Sequence, residues 1–404
     1  MEPAKKAATD RHEDPAAMEP LRISESSVAR AELTDLAFEL ARRSEGFRRS
    51  LPTSLVATLA TLVRSMNCYY SNLIEGHDTH PIDIELALKG DYSGNARNRQ
   101  LQLEARAHVE VQAWLDRGGA GATSTATLVE IHRRFYELLP DELQWVDEPE
   151  SGARVRIFPG ELRTRDVRVG EHVAVSPGAV RRFLARYEQA YGSIPRTERV
   201  ISAAAAHHRL LWIHPFLDGN GRVARLVAHA TMLESLDTGA LWSVARGLAR
   251  NVDAYRQHLA ACDRPRRNDL DGRGALSEES LVAFTRFFLN TCLDQVRFME
   301  GLMQPDALRT RIQLWAEEQI RMGRLPARAG AVLDAILYRG EIPRADVAEI
   351  VGTGERHARR TVASLVQRGV VVSSSSRAPL QLAFPAELAS RWMPGLFPER
   401  PASN

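Results

Sequence analysis

The chain has 404 residues, 44% hydrophobic and 26% charged, with 53 lysines and arginines against 51 acids and a net charge of +2. That length supports two or three domains with sizeable cores, and the near-neutral balance excludes a surface that is basic throughout. No apolar run is long enough to cross a bilayer, so no membrane partner is expected. Cys68, Cys262 and Cys292 lack metal-ligand spacing and suit a reducing cytoplasm, the expected location. Lysine occurs only at positions 5, 6 and 89. This excludes a Walker A or kinase-type lysine and leaves only Lys89 for a Schiff base.

In chain order, residues 1–30 are polar and charged and are expected to form a disordered lead. Residues 31–118 carry apolar residues at helical spacing, as in Leu33, Leu36, Ala37, Leu40 and Ala41. Within them a helix over about 62–76 ends in an unusual way. Glu75 falls in its last turn, where the macrodipole disfavours an acid by about 0.3–1 kcal/mol. Gly76 follows as a natural left-handed cap. Either that carboxylate is solvated or a cation elsewhere in the fold meets it. Helical spacing returns at 124–138. Residues 153–175 then alternate in character and include Pro159-Gly160 and Gly170-Glu171, which predicts a short β-hairpin inserted in a helical domain.

Helices are predicted again at 177–191, 198–213, 221–235 and 244–262, followed by a polar loop at 263–275 and an amphipathic helix from Leu276 to about Met303. The loop stretch from Asp269 to Ser280 superficially suits calcium. Arg273 at its fifth position and Ser280 at its twelfth, where a bidentate glutamate is needed, exclude it. His207, His208, His229 and His258 are expected to be structural rather than metal ligands. Residues 301–323 are expected to form a linker helix. From 324 to 404, helix, turn, helix (Glu355–Gln367) and a two-stranded ribbon outline a small winged helix-turn-helix domain. It carries 11 arginines against 7 acids, and Arg356, Arg359 and Arg360 at the start of its second helix make DNA a candidate partner, with protein docking the alternative.

The most informative stretch is HPFLDGNGRVAR, residues 214–225. Gly219, Asn220 and Gly221 precede a helix, so unpaired N–H groups and a positive dipole end form an anion cradle that glycine lets a phosphate approach closely. Arg222 and Arg225 stand one turn apart and can each offer a forked, charge-assisted bond to phosphate. Asp218 is a hard oxygen ligand suited to Mg2+ bridging phosphates, and His214 is a base for an attacking hydroxyl.

This stretch resembles the signature of Fic-domain proteins at every specified position. The likeness extends over roughly 60–300, including GELRTRDVRVG, ARGLARNVDAYRQHL and FTRFFLNTCLDQVRFM. The fold it implies is mainly α: a Fic helical core at 119–300 with a β-hairpin flap at 153–175, preceded by an N-terminal helical region and followed by the winged helix. The activity it implies is protein adenylyltransfer, with ATP as substrate and Mg2+ as cofactor. In the roles it implies, His214 deprotonates a hydroxyl of a target protein or of the chain itself, and Phe216 plugs the core. Asp218 holds the metal, and Gly219, Asn220 and Gly221 form the anion hole with Asn220 on the α-phosphate. Arg222 takes the β-phosphate and Arg225 the γ-phosphate. A branch that phosphorylates its target usually has lysine where this chain has Gly221, so glycine favours transfer of AMP.

SNLIEG, residues 71–76, also fits the family's inhibitory pattern, with Ser71, Glu75 and Gly76 at the specified positions. The resemblance implies the class with an N-terminal inhibitory helix, in which Glu75 pairs with Arg225. Two further functions fit the same residues. One is removal of AMP from a target, with Glu75 orienting water, and the other is ATP-sensing transcriptional regulation through the winged helix. A homodimer is compatible with each.

Overall fold

Apolar residues at helical spacing build a mainly α-helical molecule in the computed structural model, which describes residues 8–118, 121–147 and 152–398. Five helices come first: α1 (Arg30–Arg49), α2 (Thr53–Ile74), α3 (Pro81–Leu88), α4 (Ala96–Leu115) and α5 (Thr125–Glu137). Two antiparallel ribbons follow, β1 (Trp145–Asp147) with β2 (Arg154–Arg156), then β3 (Arg168–Val169) with β4 (His172–Val173). The helical core is completed by α6 (Val180–Tyr191), α7 (Arg196–Ile213), α8 (Asn220–Ser235), α9 (Val244–Arg250), α10 (Val252–Cys262) and α11 (Glu278–Leu302).

Helix α11 is the central post. Ser277 caps it by accepting from the Ser280 N–H at 3.1 Å. Leu281, Phe284, Phe288, Cys292 and Val296 recur every three or four residues and are fully buried, against α1, α7, α9 and α10. Each such side chain contributes on the order of 1.5–3 kcal/mol of apolar burial, an upper estimate. Helices α7 and α8 pack on one another. The buried run Ala203–Ala206 on α7 keeps side chains short there, so the two backbones approach closely and hold the intervening loop at a fixed end of the core.

Three expectations need correction. Residues 8–30 are not a disordered lead, while 1–7 fall outside the described residues. Asp10 pairs with Arg182 at 2.6 and 2.8 Å, the Ser176 N–H donates to Glu13 at 2.7 Å, and Met18, Leu21 and Ile23 are buried. The charges that suggested a solvated chain have partners on α6 and before it. The single hairpin at 153–175 is two ribbons. β2 pairs upstream with β1, because Pro159-Gly160 ends the extended run and Ile157 and Arg163 turn into the core. Gly170, at φ +59°, makes the two-residue turn between β3 and β4. The linker helix is α12 (Pro305–Arg321), and it belongs to the C-terminal unit. Its Arg309 pairs with Asp334 and its Trp315 packs edge-on against Trp392 at 5.2 Å.

That unit continues with α13 (Ala329–Arg339), β5 (Glu341–Ile342), α14 (Val347–Val351), α15 (Glu355–Gln367), β6 (Val371–Val372), β7 (Leu380–Leu382) and α16 (Ala389–Trp392). Its three strands form an antiparallel sheet in the order β5-β7-β6. The segment after α16 returns to the core. The Tyr70 hydroxyl donates to the Leu396 carbonyl at 2.9 Å, and Phe397 lies 5.5 Å from the Tyr69 ring and 6.5 Å from the Tyr70 ring. Arg246 donates to the Gly395 carbonyl at 2.8 Å while lying 3.6 Å over Phe298. The C-terminal segment therefore backs α2, the helix that carries Glu75 at its end. No helix among the described residues is long and apolar enough to cross a membrane.

Candidate active site

Helix α7 ends at His214, which takes the left-handed conformation (φ +51°, ψ +63°). A histidine there is strained by about 1–3 kcal/mol unless its surroundings impose it. Arg163 does so. Its Nε donates to the His214 carbonyl at 2.6 Å, and its other nitrogens donate to the carbonyls of Arg165, Ile213 and Val175. Its own N–H reaches the Pro215 carbonyl at 2.9 Å. Burial pushes the Arg163 pKa down to about 10, so the guanidinium remains charged at neutral pH. Arg163→Leu strips these carbonyls of their buried donor. It is expected to cost at least about 3 kcal/mol, read as a lowered Tm of the full chain.

The His214 ring is held by Nδ1, 3.2 Å from the Leu211 carbonyl. Nδ1 must carry the proton to make that bond, which assigns Nε2 as the acceptor nitrogen. Burial pushes the His214 pKa down to about 4, so the ring is neutral, hence able to take a proton, across the neutral range. Phe216 is fully buried and stacks on His132 with ring centroids 4.0 Å apart. His132 Nδ1 accepts from the Gly160 N–H at 2.9 Å, which ties the segment after β2 to the same loop.

Asp218 is half exposed, and its Oδ2 accepts from the Tyr136 hydroxyl at 2.6 Å. Its surroundings oppose the charge, but Arg222 and that hydroxyl outweigh them and hold the carboxyl below its usual range. Gly219 is left-handed at φ +78°, and a Cβ there would stand 3.1 Å from the Tyr136 ring. Asn220 opens α8. Its side chain accepts from the Phe216 N–H at 3.0 Å and donates to the Phe216 carbonyl at 2.8 Å. The Asn220 side-chain amide thus braces the loop. Among the described residues no group of three or more His, Cys, Asp or Glu could hold a metal. The donor set fits a cation held by one carboxylate and by substrate oxygens.

Glu75 reaches this cradle from α2. The helix ends at Ile74, and Gly76 (φ +85°) turns the chain so that the His77 N–H donates to the Asn72 carbonyl at 2.9 Å. The Arg256 guanidinium donates to the Ile74 carbonyl at 3.2 Å, a cation at the end where the macrodipole wants one. The Glu75 carboxylate pairs with Arg225, whose Nε also donates to the Ser71 hydroxyl at 2.9 Å and whose Nη2 lies 3.3 Å from the Ser71 carbonyl. Ser71 is fully buried, Arg225 is 4% exposed, and the Glu75 side chain is about one-third exposed. A Cβ added at Gly221 would collide with Glu75 Oε1, at 2.3 Å. The carboxylate therefore lies beside the first turn of α8. Burial works against the Glu75 charge, and Arg225 overcomes it to hold the carboxyl below its usual range.

Arg222 is also engaged. Its Nη2 donates to Glu104 at 3.1 Å, its Nη1 lies 3.7 Å from Asp218, and it sits 5.1 Å over the Phe135 ring. All eleven motif residues singled out in the sequence thus converge on this end of the core. Glu104, Arg163, Tyr136 and His77 join them, brought in by tertiary packing that leaves no local signal. His207 is buried against the Tyr255 hydroxyl at 2.7 Å, and His208 and His229 face Asp263 and Asp116. None of the three enters the site. A groove of about 670 Å3 between α4 and the Leu138–Leu143 segment shares no residue with the His214 loop.

Residues 122–232 match the model of the Fic/DOC family. Over 110 residues the chain is 38% identical to the protein adenylyltransferase Fic of Drosophila erecta and 34% identical to that of Drosophila ananassae. Each alignment covers 27% of this chain and 19% of the relative, so the match spans about a fifth of the relatives' length. Among solved structures, a Fic family protein from Desulfovibrio desulfuricans G20 is similar with a TM-score of 0.52 at 16% identity, covering 90% of this chain and 98% of that one. Fic-1 from C. elegans is similar with a TM-score of 0.50 at 16% identity, covering 68% and 73%. At such identity the likeness concerns the fold.

Proposed function

We propose that the chain, whose residues 122–232 match the Fic/DOC family model, is a protein adenylyltransferase whose resting state is held off by Glu75. The observation that carries this reading is the Glu75–Arg225 pair beside the first turn of α8, an acid on the arginine that would otherwise meet a nucleotide phosphate.

In the active state Glu75 withdraws and ATP takes the cradle. His214 Nε2 accepts the proton of a Ser, Thr or Tyr hydroxyl as that oxygen attacks the α-phosphorus. A new O–P bond forms, the bond from the α-phosphorus to the bridging oxygen breaks, and pyrophosphate leaves. Arg225 and Arg222 stabilise the charge that develops on the leaving phosphates, and the backbone N–H groups of Asn220 and Gly221 hold the α-phosphate. These groups are preorganised donors, the arrangement that lowers a barrier most. Asp218 would hold Mg2+, which supplies further neutralisation of the phosphates. Mass spectrometry of the full chain with Mg-ATP, alone and with lysate, is expected to find the mass of AMP on a hydroxyl side chain. A phosphate adduct in its place would contradict the reading.

In a second reading, removal of AMP, the same carboxylate would orient a water. Release of free AMP from a modified substrate, lost in a Glu75 variant, would favour it over transfer.

The C-terminal unit is read as a winged helix. Helices α13, α14 and α15 and the strand order β5-β7-β6 support this, with residues 373–379 as the wing and α15 as the helix that meets the groove. Arg356, Arg359 and Arg360 are exposed on α15, and Arg377 is exposed on the wing. The full chain is expected to bind duplex DNA with an affinity that falls as salt rises. Replacing Arg356 and Arg360 together by alanine should reduce the slope of that dependence by about 2. Equal affinity and slope in the variant would assign this face to a protein contact.

A further inference from the structure

Glu104 lies outside the motif, on α4, yet one of its oxygens serves both the nucleotide cradle and the end of α2. Its Oε2 accepts from Arg222 Nη2 at 3.1 Å and stands 3.0 Å from His77 Nδ1, with the side chain 13% exposed. Arg222 is constrained on two further sides, by the Phe135 ring beneath its plane and by Asp218 near Nη1. Its Nε is buried with no partner among the described residues. A guanidinium is planar and delocalised, so fixing one nitrogen and one face fixes the direction of the other nitrogens. The pairing presents a preset fork in which Glu104 takes one Nη2 donor, Nε is buried, and the remaining Nη donors are left for an acceptor.

His77 comes two residues after Glu75, beyond the left-handed turn at Gly76. Its bond to Glu104 raises its pKa, against the opposing effect of burial. In the resting chain Glu104 therefore divides one oxygen between Arg222 and a residue just beyond the end of α2.

We propose that Glu104 is a positioning residue for Arg222, holding its fork toward the nucleotide's phosphates, and that its contact with His77 tethers the end of α2 until Glu75 withdraws. When α2 moves, His77 leaves with it and Glu104 serves Arg222 alone, so release of the latch also sets the phosphate grip. This rests on the proposed nucleotide site, but its test does not depend on transfer.

The test uses the full chain carrying Glu75→Gly, with equilibrium binding of Mg-ATP as the readout. Glu104→Ala is expected to weaken ATP binding about tenfold, and Glu104→Asp to recover part of the loss. In a chain that also carries Arg222→Ala, Glu104→Ala should add less than about twofold, because the two act through one contact. A merely structural role would instead give the same loss with or without Arg222. In the otherwise unchanged chain, His77→Ala should strengthen ATP binding severalfold by freeing the end of α2. ATP binding within twofold of the parent for Glu104→Ala, or full additivity with Arg222→Ala, would overturn the proposal. ATP binding without any AMP transfer would count against the adenylyltransferase reading and leave the Glu104 result intact.

Discussion

Glu75→Gly is expected to raise labelling of the chain by ATP at least tenfold. Each tenfold of inhibition requires about 1.4 kcal/mol of preference for the closed pair. A carboxylate bonded to a guanidinium that is 4% exposed, and seated on the first turn of α8, can supply that much through charge-assisted bonding alone. The gain should come from ATP binding as well as turnover, since the acid and the phosphates compete for the same donors. Glycine also removes the carboxylate without adding bulk over Gly221, where a Cβ already has no room beside Glu75. The latch has a definite pH window. Because Arg225 depresses the folded pKa of Glu75, the pair is fully formed above the ordinary carboxylate pKa of about 4.3 and is lost only as pH falls through the lower folded value. Neutral pH never opens it. The contacts of Tyr69 and Tyr70 with Leu396 and Phe397 tie the same helix to the C-terminal segment. Unchanged labelling in Glu75→Gly would return the acid to a structural role.

His214→Ala, placed in the Glu75→Gly chain, is expected to lower the rate by a factor of about 100 to 10,000, the range of a lost general base. The loss should fall on kcat, with ATP binding little changed, because Nε2 meets the attacking hydroxyl rather than the phosphates. With its pKa near 4, His214 is neutral at pH 6 and above, so the rate it governs should stay flat from about pH 6 to 8 and decline only as pH falls toward 4. A rate that halves near pH 6.5 would mean that a different, solvated group is the base. The same substitution should leave DNA retention by the full chain intact, since α15 lies outside the catalytic core.

The loop at 214–225 was legible because its chemistry is local. Glycines at 219 and 221, arginines one turn apart and an acid beside them share twelve residues, and backbone geometry alone brings them to one helix end. The Glu75 contact was legible for a different reason. An acid in the last turn of α2 is electrostatically out of place, which left a solvated carboxylate or a cation elsewhere in the fold, and the resemblance of SNLIEG pointed to Arg225. The structure supplies Arg225 for the carboxylate and Arg256 for the Ile74 carbonyl.

What stayed hidden depends on contacts between distant segments. Arg163 and Glu104 look like ordinary surface charges in sequence. Their burial arises only when the segment after β2 and helix α4 fold against the His214 loop. That the short amide of Asn220 also satisfies both polar groups of the Phe216 backbone was not visible in the sequence. The charged N-terminal segment reads as solvated because its partners, Arg182 and Arg186 on α6, lie more than 150 residues away. The single hairpin expected at 153–175 became two ribbons because β2 pairs with Trp145–Asp147, outside the segment that looked strand-like.

The most direct test of an AMP-transfer site closed by Glu75 is a paired labelling of the Glu75→Gly chain with ATP carrying label on either the α- or the γ-phosphate. The account predicts label on protein from the α-position only, at least ten times that of the unchanged chain, and none when His214→Ala is added. Label arriving from the γ-position, or equal α-label in the chain with and without Glu75, would contradict it.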